Sequence, residues 1–329
     1  MALSREWGVL IFGASALLTG AVSAAERATD WPVKPVRLIV PFAPGGATDI
    51  VGRIMAQGLS EVLGQQFVVD NRAGASGNIA VEMAAKAPPD GYTVLINNVS
   101  TGAINPIAFA STLKFDPVKE LTGVALLASI PNLLVSGPNF PPNNMKELIE
   151  YAKARPGQLN YTNPIGAYSH LDMLEFMSKA GIQMVNVPSK GAGASFAAII
   201  GGEIHFSFLN AATVTPQVKA GRMKAFVTTA KARLPDLPDV PTMAEAGFPG
   251  MGSVNWNGFF VPAKTPRAII DKLAAATAQV LQRPQVQVAF AKAGVPLTPS
   301  ASPEEFQAFV RSELKRWARI IKENNVKFD

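Results

Sequence analysis

The sequence predicts an α/β protein of two similar-sized lobes around a cleft. Three observations carry this. Apolar strand-like runs alternate with helix-spaced apolar patterns almost throughout, the signature of parallel sheets with crossover helices. These units fall into two series, one through Ile96 and one from Asn132. A chain of 329 residues is also too long for one small domain. Lobes built this way leave a cleft where strand C-termini converge.

In order, Val36–Val40 is the first strand. A helix follows from about Asp49 to Leu63, with Ile50, Val51, Ile54, Met55, Leu59, Val62 and Leu63 at helical spacing and Gly64 as its stop. Phe67–Val69 and Thr93–Ile96 are strands, Asn78–Ala87 is helical, and Pro88–Gly91 is a turn. The second series has strands at Asn132–Ser136, Leu159–Thr162, Gln183–Val187, Ile204–Phe208 and Lys224–Thr228. Its helices are Met145–Ala154, Ser169–Ala180 and Ala194–Ile200. Leu234–Pro241 is Pro-rich and irregular. In the helical C-terminal region, Thr265-Pro266 and Ser302-Pro303 each read as an N-cap with Pro at N1, and Glu305 completes a capping box with Ser302. The last helix carries Phe306, Phe309, Val310, Leu314, Trp317, Ile320 and Ile321 on one face, a pattern for packing on a sheet.

Composition narrows the function. The chain is 48% hydrophobic and 16% charged, against disorder and against a coiled coil. Its formal charge is +6, but Lys and Arg are scattered without interleaved aromatics, so nucleic acid is not an expected partner. The absence of cysteine excludes disulfides, thiol catalysis and Cys-ligated metals, and fits an oxidising compartment. Val9 to Val22 is an apolar run too short to span a membrane, and Val22 to Ala25 offers small-x-small cleavage sites. Residues 1–25 are therefore read as a secretory signal peptide, although its n-region is poor because Glu6 offsets Arg5. Catalysis has little support. His170 and His205 read as structural hydrogen-bonders, neither H-E-x-x-H nor G-x-S-x-G occurs, the acids are dispersed, and no metal-ligand cluster is present. The expectation is a non-enzyme without metal or cofactor.

The strongest candidate site is the loop from Phe42 through Ala43, Pro44, Gly45, Gly46 and Ala47 to Thr48 and Asp49. Adjacent glycines let a ligand approach the backbone, and the helix N-terminus behind them presents N–H groups and partial positive charge to an anion. Thr48 adds a hydroxyl that can cap the helix, and Asp49 suits the first turn. Asn71–Asn78 and the stretch from Asn97 through Asn98 to Thr101 lie on the same edge. In the second series, Thr162–His170, Pro188–Gly193 and Leu209–Ala211 place polar groups and helix starts at strand ends.

These motifs in this order resemble the solute-binding receptors of tripartite tricarboxylate transporters, the Bug family. The resemblance is carried by Pro35–Phe42 with Pro44-Gly45-Gly46 and Thr48-Asp49, Leu63-Gly64-Gln65, Val69–Ala75 and Pro89–Thr93. Ala154–Gly157, Pro238–Thr242, Glu245-Ala246-Gly247, Trp256 with Gly258, Pro262 with Thr265-Pro266, and Pro303–Phe306 extend it over nearly all of the chain after the leader. It implies a periplasmic receptor of the type II-like Venus flytrap form, two Rossmann-like lobes closing on a small carboxylate. Residues 30–128 with 258–329 form one implied lobe and residues 129–257 the other, the chain crossing near Ser129 and Asn257. The implied partners are the carboxylate and membrane permease subunits, and the receptor is expected to be a monomer.

Two loops would clamp the ligand. One holds Phe42, Ala43, Gly45, Gly46 and Thr48; the other holds Thr162, Asn163, Ile165, Gly166, Ala167 and Ser169, with Asn98, Ser189 and Asn210 beside them. The second loop departs from the family pattern through Asn163-Pro164-Ile165 and Ala167, and Ser189 stands where a tyrosine is usual. Asn210 stands where Asp is frequent and removes a charge that could pair an ammonium. With Phe42 and Trp256 as remaining aromatics, this implies a wider site for a dicarboxylate or aromatic carboxylate without an amine. Delivery to a signalling partner instead of a permease, and an exported enzyme, are the alternative readings.

Overall fold

The computed structural model describes residues 30–165, 167–187 and 192–328. The expected leader, Gly166 and Ser189 lie outside them.

The strands are β1 (Val36–Val40), β2 (Phe67–Asn71), β3 (Thr93–Asn98), β4 (Leu121–Ser136), β5 (Leu159–Tyr161), β6 (Met184–Asn186), β7 (Ser207–Asn210), β8 (Lys224–Thr228) and β9 (Val254–Pro262). The longer helices are α1 (Ala47–Leu63), α2 (Asn78–Ala85), α3 (Met145–Lys153), α4 (Tyr168–Ala180), α5 (Ala192–Gly201), α6 (Ala211–Lys219), α7 (Arg267–Leu281), α8 (Pro284–Lys292) and α9 (Pro303–Glu323).

One sheet runs β2-β1-β3-β9-β4, and β4 continues between β7 and β8. β1 pairs in parallel with β2 and β3, whereas β9 is antiparallel to both β3 and β4. The sheet is therefore mixed, a correction to the all-parallel expectation. The 16-residue β4 changes partners partway: Leu121 to Pro131 lie against β9, and Asn132 to Ser136 lie against β7 and β8. β5 pairs in parallel with β6 and is bridged in parallel to β7 through Tyr161 and Phe206. Each half thus repeats one pattern, three parallel strands followed by an antiparallel one, in the orders β2-β1-β3-β9 and β6-β5-β7-β4.

Strands of this kind are buried on both faces. In the first half, Leu38, Val40, Ile96 and Phe259 pack against Met55 and Leu59 of α1 and Leu273 and Val280 of α7. On the other face Ile39, Leu95 and Trp256 meet Val81 of α2 and Phe306, Trp317 and Ile320 of α9. In the second half Leu134 and Phe208 pack on Leu148 of α3 and Phe176 of α4, and Leu133 and Val135 pack on Ile199 and Val214. The expected face of α9 is the one buried. Its Ser302 caps the helix by accepting the Glu305 N–H at 3.1 Å, while Glu305 reaches back to the Ala301 N–H instead of that of Ser302.

Other expectations fail for physical reasons. Thr265 does not cap α7: the N-cap is Pro266, and Thr265 Oγ1 is buried without a partner among the described residues. The strand expected from Ile204 starts at Ser207, since Ile204 closes onto the end of α5 through a bond to the Ala198 carbonyl. The first eleven residues of β4, all of β9 and α6 were not expected.

Gly258 of β9 is required by packing. A Cβ there would sit 2.2 Å from Phe306 Cζ and 2.9 Å from the Ala125 carbonyl oxygen. Gly258→Ala is expected to cost about 1–3 kcal/mol through overpacking. A urea midpoint unchanged from wild type would contradict that close approach.

Candidate functional site

β4 carries the chain out of the first half into the second, and β3 runs in the same direction, because β9 is antiparallel to both. The C-terminal ends of β1 and β3 therefore point toward the second half. β7 is antiparallel to β4, so its C-terminal end and that of β5 point back toward the first. The two sets of strand ends face each other across the β4–β9 crossing, and the helices that follow β1 and β5 begin there.

The first helix start is α1. Its N-cap is Gly46, with extended backbone and no side-chain cap, so Thr48 does not cap it as expected. The first helical bond is Ile50 N–H to the Gly46 carbonyl, which leaves the preceding N–H groups without intrahelical acceptors. Gly45 has φ +91°, a conformation suited to glycine. Ala43, Gly45 and Gly46 are exposed, Phe42 is half-buried, and Thr48 is buried.

Asp49 fixes this loop, a role beyond the helix-dipole one read from sequence. It is 2% exposed. Its Oδ2 accepts the Gly45 N–H at 2.9 Å and Arg53 Nε at 2.9 Å, and its Oδ1 accepts Asn71 Nδ2 at 2.8 Å. The same Asn71 amide donates to the Phe42 carbonyl at 3.0 Å. Burial raises the Asp49 pKa, but bonds from Arg53, Gly45 and Asn71 and the Arg53 charge outweigh it, and the net shift is downward. The C-terminal end of β2 is thus a brace for the clamp. A Cβ on Gly77 would lie 2.5 Å from Thr101 Cγ2 and 3.2 Å from Pro41 Cβ, so the loops after β1, β2 and β3 meet there.

Asn98 ends β3. Its Oδ1 accepts the N–H groups of Ser100 and Thr101 and the Thr101 hydroxyl, closing the following turn. Its Nδ2 faces Thr48 Oγ1 at 3.5 Å.

The second helix start is α4. Its N-cap is Ala167, again without a side-chain cap, and both His170 and Leu171 donate to the Ala167 carbonyl. Ser169 is buried, and Ile165 is 65% exposed. Thr162 is buried, with Oγ1 lacking a partner among the described residues. Asn163 is held structurally: its Nδ2 donates to Ser207 Oγ and the Phe208 carbonyl, so it offers no donor to a carboxylate. Asn210 caps α6 by accepting the Ala212 N–H at 3.0 Å, which turns its NH2 group away from the helix.

Trp256 is not a pocket aromatic as expected. It is fully buried among Phe260, Phe306 and Phe309, and its Nε1 donates to Glu313 at 3.2 Å. The pairing of β9 decides which way it faces. His205 Nδ1 accepts the Asn160 N–H at 2.9 Å, and His170 stacks on Tyr161; burial lowers the pKa of both imidazoles. Among the described residues no group of acids and histidines could hold a metal, and no helix is long and apolar enough to cross a membrane.

A buried ionic group joins α4 to α9. Arg316 Nη2 donates to Asp172 at 3.0 Å and to Glu175 at 3.1 Å, and Glu175 also pairs with Arg319 and Lys179. Asp172 accepts the Ser253 N–H at 3.1 Å and the Ser253 hydroxyl. Burial pushes the Asp172 carboxyl up more than Arg316 and Ser253 pull it down.

Solved periplasmic binding proteins, BugD among them, share this α/β fold. A solved R. palustris protein with adipate is 35% identical, with TM-score 0.75 over 90% of this chain and 99% of that one. MatC from Rhodopseudomonas palustris, solved with bound malate, is 32% identical, with TM-score 0.72 over 88% of this chain and 100% of that one. The sequence model of the tripartite tricarboxylate transporter family receptor, TctC, matches residues 51–326. The chain belongs to this family. Protein BugT of Bordetella pertussis (strain Tohama I) is 32% identical over 313 residues, 94% of this chain and 95% of that protein.

Proposed function

We propose that this chain is an extracytoplasmic receptor that captures a small organic carboxylate, a di- or aromatic carboxylate without an amine, and delivers it to permease subunits of a tripartite transporter. The observation that carries the reading is the pair of uncapped helix N-termini at facing strand ends, Gly46–Thr48 and Ala167–Ser169. Such termini hold an anion with backbone N–H groups, without a cationic side chain. The adipate and malate seen in similar proteins support a carboxylate. In this reading the two halves are lobes that close by bending the two-stranded β4–β9 ribbon at Ser129–Pro131 and Val254–Trp256. Ile165, exposed at the tip of the second clamp, is covered on closure, and Thr162 and Asn210 supply side-chain donors. The protein works as a monomer in the periplasm, reached through the N-terminal signal.

The test is thermal unfolding of the purified protein against mono-, di- and tricarboxylates, aromatic acids and amino acids. A ligand at 100 times its Kd is expected to add roughly 2.7 kcal/mol. A shift confined to glutamate or aspartate would refute the no-amine part, and no shift with any acid would refute the carboxylate part.

A further inference from the structure

We infer that a cavity in the first half, on the face of β3 that α9 covers, is an accessory site for a small hydroxylated molecule, with Asn97 as its recognition residue. The cavity measures about 230 Å³ and lies between the end of β3, the start of β4 and α9.

On β3, Leu95 packs toward α9 and Ile96 toward α1 and α7. Side chains alternate along a strand, so Asn97 follows Leu95 onto the α9 side, where it lines the cavity. Asn98, the next residue, instead reaches Thr48 of the first clamp. β3 is an interior strand between β1 and β9, a setting that disfavours asparagine. Asn97 is 2% exposed, and its Oδ1 is buried without a hydrogen-bond partner among the described residues. An unpaired amide oxygen is costly, and packing does not account for this one. One trapped water needs only about 10–15 Å³, far less than the space present.

The unpaired oxygen calls for a donor. An ionised carboxylate has none, so the class of ligand assigned to the cleft does not fit here. An ammonium donates, but it would stand among Lys119 and Arg311, which also line the cavity. An uncharged hydroxyl fits both: it donates to Asn97 Oδ1, and its oxygen accepts from a cation such as the exposed Arg311. Gln307 adds a second acceptor, because its Nε2 is engaged by the Gly123 carbonyl at 3.0 Å and Oε1 is left. Phe260 and Leu314 supply apolar wall for C–H groups. The volume is below the roughly 300–1,000 Å³ of sites for drug-sized ligands, which points to a short polyol.

The probes are glycerol, erythritol and xylitol, titrated into the full protein with Kd measured by saturation-transfer NMR. Wild type is expected to bind at least one of them in the millimolar range or more tightly. Asn97→Leu is expected to weaken that polyol roughly tenfold or more, and to leave the unliganded melting temperature unchanged or raised because the stranded oxygen is gone. Arg311→Ala, a surface change, is expected to weaken the same polyol severalfold with the fold intact. If no polyol gives a signal, the cavity holds water only and the proposal is overturned. If both variants bind the polyol within twofold of wild type, it sits elsewhere and the proposal also fails. Should Asn97→Leu not fold, Arg311→Ala decides, and binding within twofold of wild type overturns the site. None of these outcomes bears on the carboxylate reading, since the two clamp loops supply no residue to this cavity.

Discussion

Arg316→Met is expected to destabilise the protein by about 3–5 kcal/mol, the usual cost of removing one partner from a buried ion pair. The guanidinium is enclosed between three acids on two elements. It bonds Asp172 and Glu175 of α4 directly, and its charge also acts on Glu313 of its own helix. Glu313 is held by the indole N–H groups of Trp256 and Trp317. With methionine at 316, Glu175 keeps Arg319 and Lys179, but Asp172, 0% exposed, keeps Ser253 as its hydrogen-bond partner among the described residues. The stranded charge, more than the lost attraction, supplies the cost. Arg316→Met combined with Asp172→Asn is therefore expected to recover most of the loss. Urea unfolding of the two variants decides it: a single variant within 1 kcal/mol of wild type would sink the argument.

The pH dependence of this loss has a definite sign. The folded pKa of Asp172 is raised, by burial above all, relative to an ordinary value near 3.9. A group raised on folding contributes stability that is full below its unfolded pKa and is lost as pH rises through the folded value. Removing Arg316 raises the folded value further, because the pull from that charge disappears. The deficit of Arg316→Met is therefore expected to be largest at pH 7 and to shrink toward pH 5. Since α4 begins at the second clamp and Asp172 is one turn from Ser169, the same variant is expected to weaken ligand binding.

What the sequence made legible was local. Val36–Val40 and Lys224–Thr228 are continuous apolar-rich runs, and both match the strands that form. The loop-to-helix step at Gly45-Gly46 was readable because glycine pairs and a helix start are short-range signals. β9 was missed because Asn255, Asn257 and Gly258 interrupt its apolar pattern, and only pairing with β3 and β4 explains them. The same pairing turns Trp256 inward, which no spacing rule could reveal. Asn163 and Asn210 looked alike as polar loop residues. The structure separates them, since Ser207 and Phe208 occupy the Asn163 amide while a helix cap orients that of Asn210. Asn71 was visible as a loop residue, but its contact with Asp49 depends on the parallel register that sets Val40 beside it.

That contact underlies the second large effect. Asp49→Ala is expected to cost about 3 kcal/mol or more and to abolish carboxylate binding. Three donors converge on this carboxylate, the Gly45 N–H, Arg53 Nε and Asn71 Nδ2. Hydrogen bonds to a charged group contribute about 1.5–3 kcal/mol each, and Arg53, with a half-exposed side chain, is discounted for solvent. Without Asp49 the Gly45 N–H loses its acceptor and Asn71 holds the loop only through the Phe42 carbonyl, so the backbone ahead of α1 is no longer fixed in its ligand-ready form. Asp49→Asn separates the contributions. It keeps one oxygen for a donor but sets an NH2 group against the others, and is expected to lose most of the stability and at least part of the affinity. Here the pH sign is opposite to that of Asp172. The folded pKa of Asp49 is depressed, so its contribution is present above the unfolded value near 3.9 and is lost as pH falls through the folded value. Wild type should therefore lose stability on acidification below about pH 4 more steeply than Asp49→Asn. Parallel acid-unfolding curves for the two proteins would show that Asp49 is not the group that holds the clamp.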